Sequence, residues 1–141
     1  MKLISFALVP AIAVCLLENS AMAAARFVEA PSTVCAGSAL AVSFQLAGLG
    51  SRIQVDMTTS AEAEFACVRP GNPVPPGEVQ RMTTVASFPV ERDGTASGVM
   101  ILRPEIICSS PARQVVTYRG LTLEAGRMEA VAVAPGPIVC R

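Results

Sequence analysis

The sequence predicts an all-β fold: a two-sheet antiparallel sandwich of immunoglobulin-like kind, with about seven strands and two disulfides. Three observations carry this. Short stretches with period-two hydrophobic alternation recur along the chain, separated by Gly- and Pro-containing turns. No stretch after residue 25 has a helical period. Four cysteines, Cys35, Cys67, Cys108 and Cys140, follow an N-terminal segment with the order of a removable leader. A small barrel is the alternative architecture.

The leader comes first. Met1-Lys2 places a positive charge ahead of an apolar run over 3–17. Small residues follow over 21–25. Basic end, apolar centre and small-residue cleavage site define a signal peptide, here 1–23, with the cut after Ala23 and an alternative after Ala25. The run is too short to span a bilayer, which takes roughly 20 residues, and Pro10 interrupts it. Cys15 leaves with the leader. The destination is therefore secreted and extracellular, with no stable membrane insertion after cleavage. Residues 24–141 are expected to form one domain with one core.

Ser38–Leu46 sets Leu40, Val42, Phe44 and Leu46 against Ala39, Ala41, Ser43 and Gln45, the mark of a half-buried strand. After a Gly48–Ser51 turn, Arg52–Met57 alternates again, with Ile53, Val55 and Met57 inward. Ala61–Val68 places Ala63, Phe65 and Cys67 on one face and Glu62 and Glu64 on the other. Pro70–Gly77 holds four prolines in eight residues, so it is an extended loop. Thr83–Val90 puts Ala86, Phe88 and Val90 on one face. Asp93-Gly94 then marks a tight hairpin, from which Thr95–Arg103 pairs back. Pro104–Pro111 is irregular. Gln114–Glu124 and Arg127–Ala134 form a second hairpin around Ala125-Gly126, and 138–141 closes the chain. The core this builds is aliphatic and light, which is a reason for cross-links.

Composition excludes several functions. After the leader the basic residues are all Arg, matched in number by acids, so no net field draws nucleic acid or anionic membrane. The absence of Lys there fits a GC-rich genome; the sharper reading is a host-directed effector that escapes lysine tagging. With no His in the chain, a Ser-His or Cys-His nucleophile and a His-ligated zinc are excluded. No catalytic residue, metal or cofactor is expected. Glu62 and Glu64 are the one carboxylate pair on a strand face, and a solvated sheet face accounts for them. Glu91–Gly94 has too few ligands for calcium.

The segment Asn72, Pro73, Val74, Pro75 and Pro76 is the candidate partner loop. An extended Pro-rich segment loses little entropy on docking. The expectation is thus a monomeric, non-enzymatic binding or surface module for an unknown protein or glycan. A secreted protease inhibitor or small-ligand carrier is the alternative.

Four cysteines allow three connectivities, and loop entropy does not separate sequential from nested pairing. Ala47-Gly48-Leu49-Gly50, Val55 and Phe65-Ala66-Cys67-Val68-Arg69-Pro70-Gly71-Asn72-Pro73-Val74-Pro75-Pro76-Gly77 resemble a group of small secreted bacterial proteins with no known activity. Their pattern is a strand ending in Ala-Gly-Leu-Gly, a second strand, a cysteine before Asn-Pro-Gly-Gly-Asn and a Pro-Gly, and another cysteine about 40 residues on. The resemblance covers about Val42 to Val133. It implies that Cys67 pairs with Cys108, leaving Cys35–Cys140 as a terminal staple. Arg69 stands where that group has Asn, and no Trp follows Cys108.

Overall fold

The structure is a computed structural model and describes residues 25–72, 77–105 and 108–141. The leader 1–23 and Pro73, Val74, Pro75 and Pro76 of the candidate loop lie outside the described residues. Nine strands and no helix are described: β1 (Arg26–Phe27), β2 (Ser32–Ala36), β3 (Ala39–Ala47), β4 (Gln54–Val68), β5 (Glu78–Pro89), β6 (Ala96–Leu102), β7 (Arg113–Ala125), β8 (Val131–Ala132) and β9 (Ile138–Cys140). They form two antiparallel sheets. In the first, β3 is central, with β1 and β2 along one edge and β6 on the other. In the second, β5, β4 and β7 lie side by side, and β8 and β9 share the outer edge of β7.

The inner faces of the two sheets meet in one apolar cluster. Leu40, Val42, Phe44, Leu46, Met100 and Leu102 enter from the first sheet. Val55, Met57, Phe65, Val116, Tyr118 and Leu123 enter from the second. Burying a side chain such as Leu or Val contributes about 1.5–3 kcal/mol each, so this layer supplies the main driving force. Tyr118 is fully buried and crosses it. Its hydroxyl donates to the carbonyl of Ser38 at 2.7 Å and lies 3.3 Å from that of Leu102, both outside its own sheet.

Three sequence expectations are corrected. First, Arg52–Met57 and Ala61–Val68 are not two strands; β4 runs unbroken through Thr58-Thr59-Ser60. Threonine suits extended backbone, and the buried Thr59 satisfies its hydroxyl by donating to the Thr122 carbonyl at 2.9 Å. Ile53 precedes this strand and is 86% exposed, so it does not point inward. Cys67, at the far end, is also exposed, since β4 there runs past the core.

Second, Thr95–Arg103 does not pair back on the preceding strand. β5 pairs with β4, whereas β6 pairs with β3 in the opposite sheet. Asp93-Gly94 does form a tight turn, with Gly94 N–H donating to the Glu91 carbonyl at 3.0 Å. The turn carries the chain across the sandwich rather than along one sheet.

Third, the hairpin at Ala125-Gly126 is shorter than expected. Only Val131 and Ala132 return to pair with Leu123 and Thr122. In β7 the inward residues change phase, from Val116 and Tyr118 to Leu121, Leu123 and Ala125. A bulge makes this possible: the register passes from Ser60↔Thr122 to Glu62↔Arg119, one extra residue on β7. Gly120 sits there with φ +61°, the left-handed geometry such a bulge requires.

The disulfides are Cys35–Cys140 and Cys67–Cys108, the nested arrangement. The first joins β2 to β9, the edge strands of the two sheets. The second ties the end of β4 to the segment that follows β6.

Candidate functional site

β4 ends where Pro70 removes a ladder donor. The chain turns at once, with Asn72 N–H donating to the Arg69 carbonyl at 3.1 Å. It rejoins the described residues at Gly77, whose N–H lies 3.4 Å from Glu64 Oε1. The base of the candidate loop is thus held at one end by a turn on Arg69, just after β4, and at the other by Glu64 of β4, and Cys67–Cys108 anchors the same corner. Of the five loop residues singled out from sequence, only Asn72 is described.

Strand register brings three distant arginines to this corner. Val68, the last residue of β4, pairs with Arg113, the first of β7, so Arg69 follows directly beside Arg113. Val116 pairs with Cys140, which sets Arg141 beside Val115. A cavity of about 230 Å³ results, lined by Val68 and Val115 together with Arg69, Asn72, Arg113 and Arg141. The two valines are half-buried and the three arginines exposed. The site is therefore an apolar floor with a cationic rim. Among the described residues the ion pair is Arg119–Glu64 at 2.9 Å, so none of these three arginines is neutralised by a carboxylate there.

No sequence signal marks this convergence beyond the arginines themselves. Arg113 is 44 positions from Arg69, and Arg141 a further 28. Only the antiparallel pairing of β4, β7 and β9 unites them.

Glu62 and Glu64 do lie on one outer face, as the alternation indicates. Glu62 stands opposite both Arg81 and Arg119. The Glu64 carboxylate accepts from Arg119, and this, with the Gly77 N–H, holds its pKa below the usual value. A general acid needs the opposite shift. The pair therefore belongs to a cross-strand charge ladder. Asp93 is likewise occupied: its Oδ1 accepts from Thr95 Oγ1 at 2.6 Å and Thr95 N–H at 3.2 Å, which lowers its pKa and fixes the turn. Among the described residues no group of three or more acidic, Cys or His side chains is placed to hold a metal, and no helix is long and apolar enough to cross a membrane.

The outer face of the first sheet differs in kind. Val34, Ala41 and Ile101 form one row across β2, β3 and β6, with Ser32, Ser43 and Val99 in the next. Val34, Val99 and Ile101 are exposed, and no charged residue interrupts these rows. No known protein family matches the chain, and neither a curated protein nor a solved structure matches it.

Proposed function

We propose that the chain is an exported, disulfide-stabilised, non-enzymatic binding module of immunoglobulin-like architecture. Its contact region is the end of the second sheet, at Arg69, Asn72, Arg113 and Arg141, continued by the Pro73–Pro76 segment. The observation that carries this is the concave, apolar-floored corner at the base of a proline-rich loop. Functional residues concentrate where a rigid scaffold presents a loop, and here two antiparallel sheets and a disulfide supply the scaffold. The partner is an extracellular protein or glycan. Export is supported by the leader pattern and by two disulfides, which persist in oxidising compartments.

The test uses oxidised protein comprising residues 24–141, presented to arrays of extracellular proteins and of glycans. The reading expects a saturable partner whose binding is lost when Asn72–Pro76 is replaced by a Gly-Ser segment of equal length. A partner whose binding ignores that replacement, or no partner on either array, would overturn it.

A further inference from the structure

The corner pocket has a chemistry of its own, and the inference from it rests on the proposed binding role. Three arginines, Arg69, Arg113 and Arg141, line a cavity of about 230 Å³. None has an ion-pair partner among the described residues. Like charges gathered around low-dielectric hydrocarbon repel, and an anion seated between them reverses that cost. Arginine's planar fork suits carboxylates in particular, because two parallel N–H donors meet two oxygens.

The floor narrows the choice. Val68 and Val115 are half-buried and face the same cavity. A bare inorganic anion would leave them against water or against a hydrated ion, which gains nothing from hydrocarbon. A carboxylate joined to a short apolar group satisfies both surfaces. The volume sets the size: whole drug-sized ligands occupy roughly 300–1,000 Å³, so this cavity takes one side-chain-sized fragment.

We infer that the Arg69–Arg113–Arg141 pocket binds a carboxylate carried on a small apolar group, as at a peptide C-terminus ending in an aliphatic residue or in a free short aliphatic acid. Arg113, the first residue of β7, holds the carboxylate; Val115 packs against the hydrocarbon.

The test is an amide-resolved NMR titration of the oxidised 24–141 protein. The probes are N-acetyl-leucine, N-acetyl-leucine amide, and the peptide Ala-Ala-Leu with a free or an amidated C-terminus. Saturable shifts at Val68, Gly71, Val115 and Arg141 are expected with the two acids and not with the two amides. Arg113→Gln is expected to weaken acid binding about tenfold, the loss of a charge-assisted pair, with an unchanged melting curve. Val115→Asp places a negative charge on the floor and is expected to abolish the shifts. With 4-methylpentanoate as a third acid, tighter binding of N-acetyl-leucine and the free peptide than of 4-methylpentanoate assigns the carboxylate to a chain end; equal binding of all three assigns it to a free acid.

Acid and amide probes behaving alike, shifts scattered away from the pocket, or acid binding untouched by Arg113→Gln would each overturn the inference. Such a failure is distinguishable from failure of the binding role. A partner captured through Asn72–Pro76 with no response to these acids refutes the pocket chemistry alone.

Discussion

The two long sides of the sandwich are closed in different ways. On one side β2 and β9 meet, and Cys35–Cys140 links them across 105 positions of sequence. The flanking Val34 is 66% exposed and Val139 45%, while Cys140 itself is fully buried in the core cluster. On the other side β5 and β6 meet with no disulfide. There Phe88 packs edge-on against Phe44, ring centres 4.8 Å apart, above Gly98 of β6. Thr84 Oγ1 donates to the Ile101 carbonyl at 3.3 Å. β5 and β6 are consecutive, joined by the short turn at Asp93-Gly94. Closing a short loop costs little entropy, whereas bringing the chain's two ends together costs much more. The covalent bond stands where closure is expensive; an aromatic contact suffices where the chain itself makes the connection.

The largest test of this contrast is to remove the staple. Replacing both Cys35 and Cys140 by Ser is expected to lower the unfolding free energy by about 2–5 kcal/mol, read from urea midpoints. Removing Cys67–Cys108, which closes only 41 positions, should cost less. A smaller loss from the long link than from the short one would break the entropic explanation.

On the packed seam, Gly98→Ala is the sharper probe. A Cβ at Gly98 would run into the edge of the Phe88 ring, which also packs against Phe44, the cross-strand partner of Gly98. Overpacking of this kind costs about 1–3 kcal/mol, and the double variant Gly98→Ala with Phe88→Leu should recover part of it. A neutral single variant would mean that this seam is not closed by the aromatic contact.

Between the seams, Tyr118→Phe strips the Ser38 carbonyl of its buried donor and is expected to cost about 1–2 kcal/mol in the same assay. The hydroxyl also sets a pH limit. Burial raises its pKa from 10.0 to about 12. The folded state favours the neutral phenol, so its contribution is fully present below pH 10 and is lost as pH rises through about 12. Tyr118 is the only tyrosine, and Lys2, the only lysine, lies in the expected leader. The fall in urea midpoint between pH 10 and 12 should therefore disappear in Tyr118→Phe. The smallest effect is expected from Thr84→Val, about 0.5 kcal/mol or less for one exposed hydrogen bond. A large loss there would show that the open seam depends on hydrogen bonding rather than on Phe88.

The sequence made β3 legible because Leu40, Val42, Phe44 and Leu46 keep strict alternation on a strand buried on one side. It made β4 look like two strands because Thr58-Thr59-Ser60 is polar, and only the Thr122 carbonyl explains a threonine facing inward. The phase slip in β7, from Tyr118 to Leu121 across Gly120, was written in the chain as a glycine between two alternating runs. The Asp93-Gly94 turn was legible as a turn but silent about which sheet received the next strand.

Local alternation, turn residues and cysteine number thus determined an all-β chain with two cross-links. They act within a few residues and need no knowledge of distant partners. Tertiary structure alone decided the change of sheet between β5 and β6 and the meeting of Arg69, Arg113 and Arg141. Both depend on register between strands far apart in sequence, and register is set by how two inner faces pack rather than by any single strand's pattern.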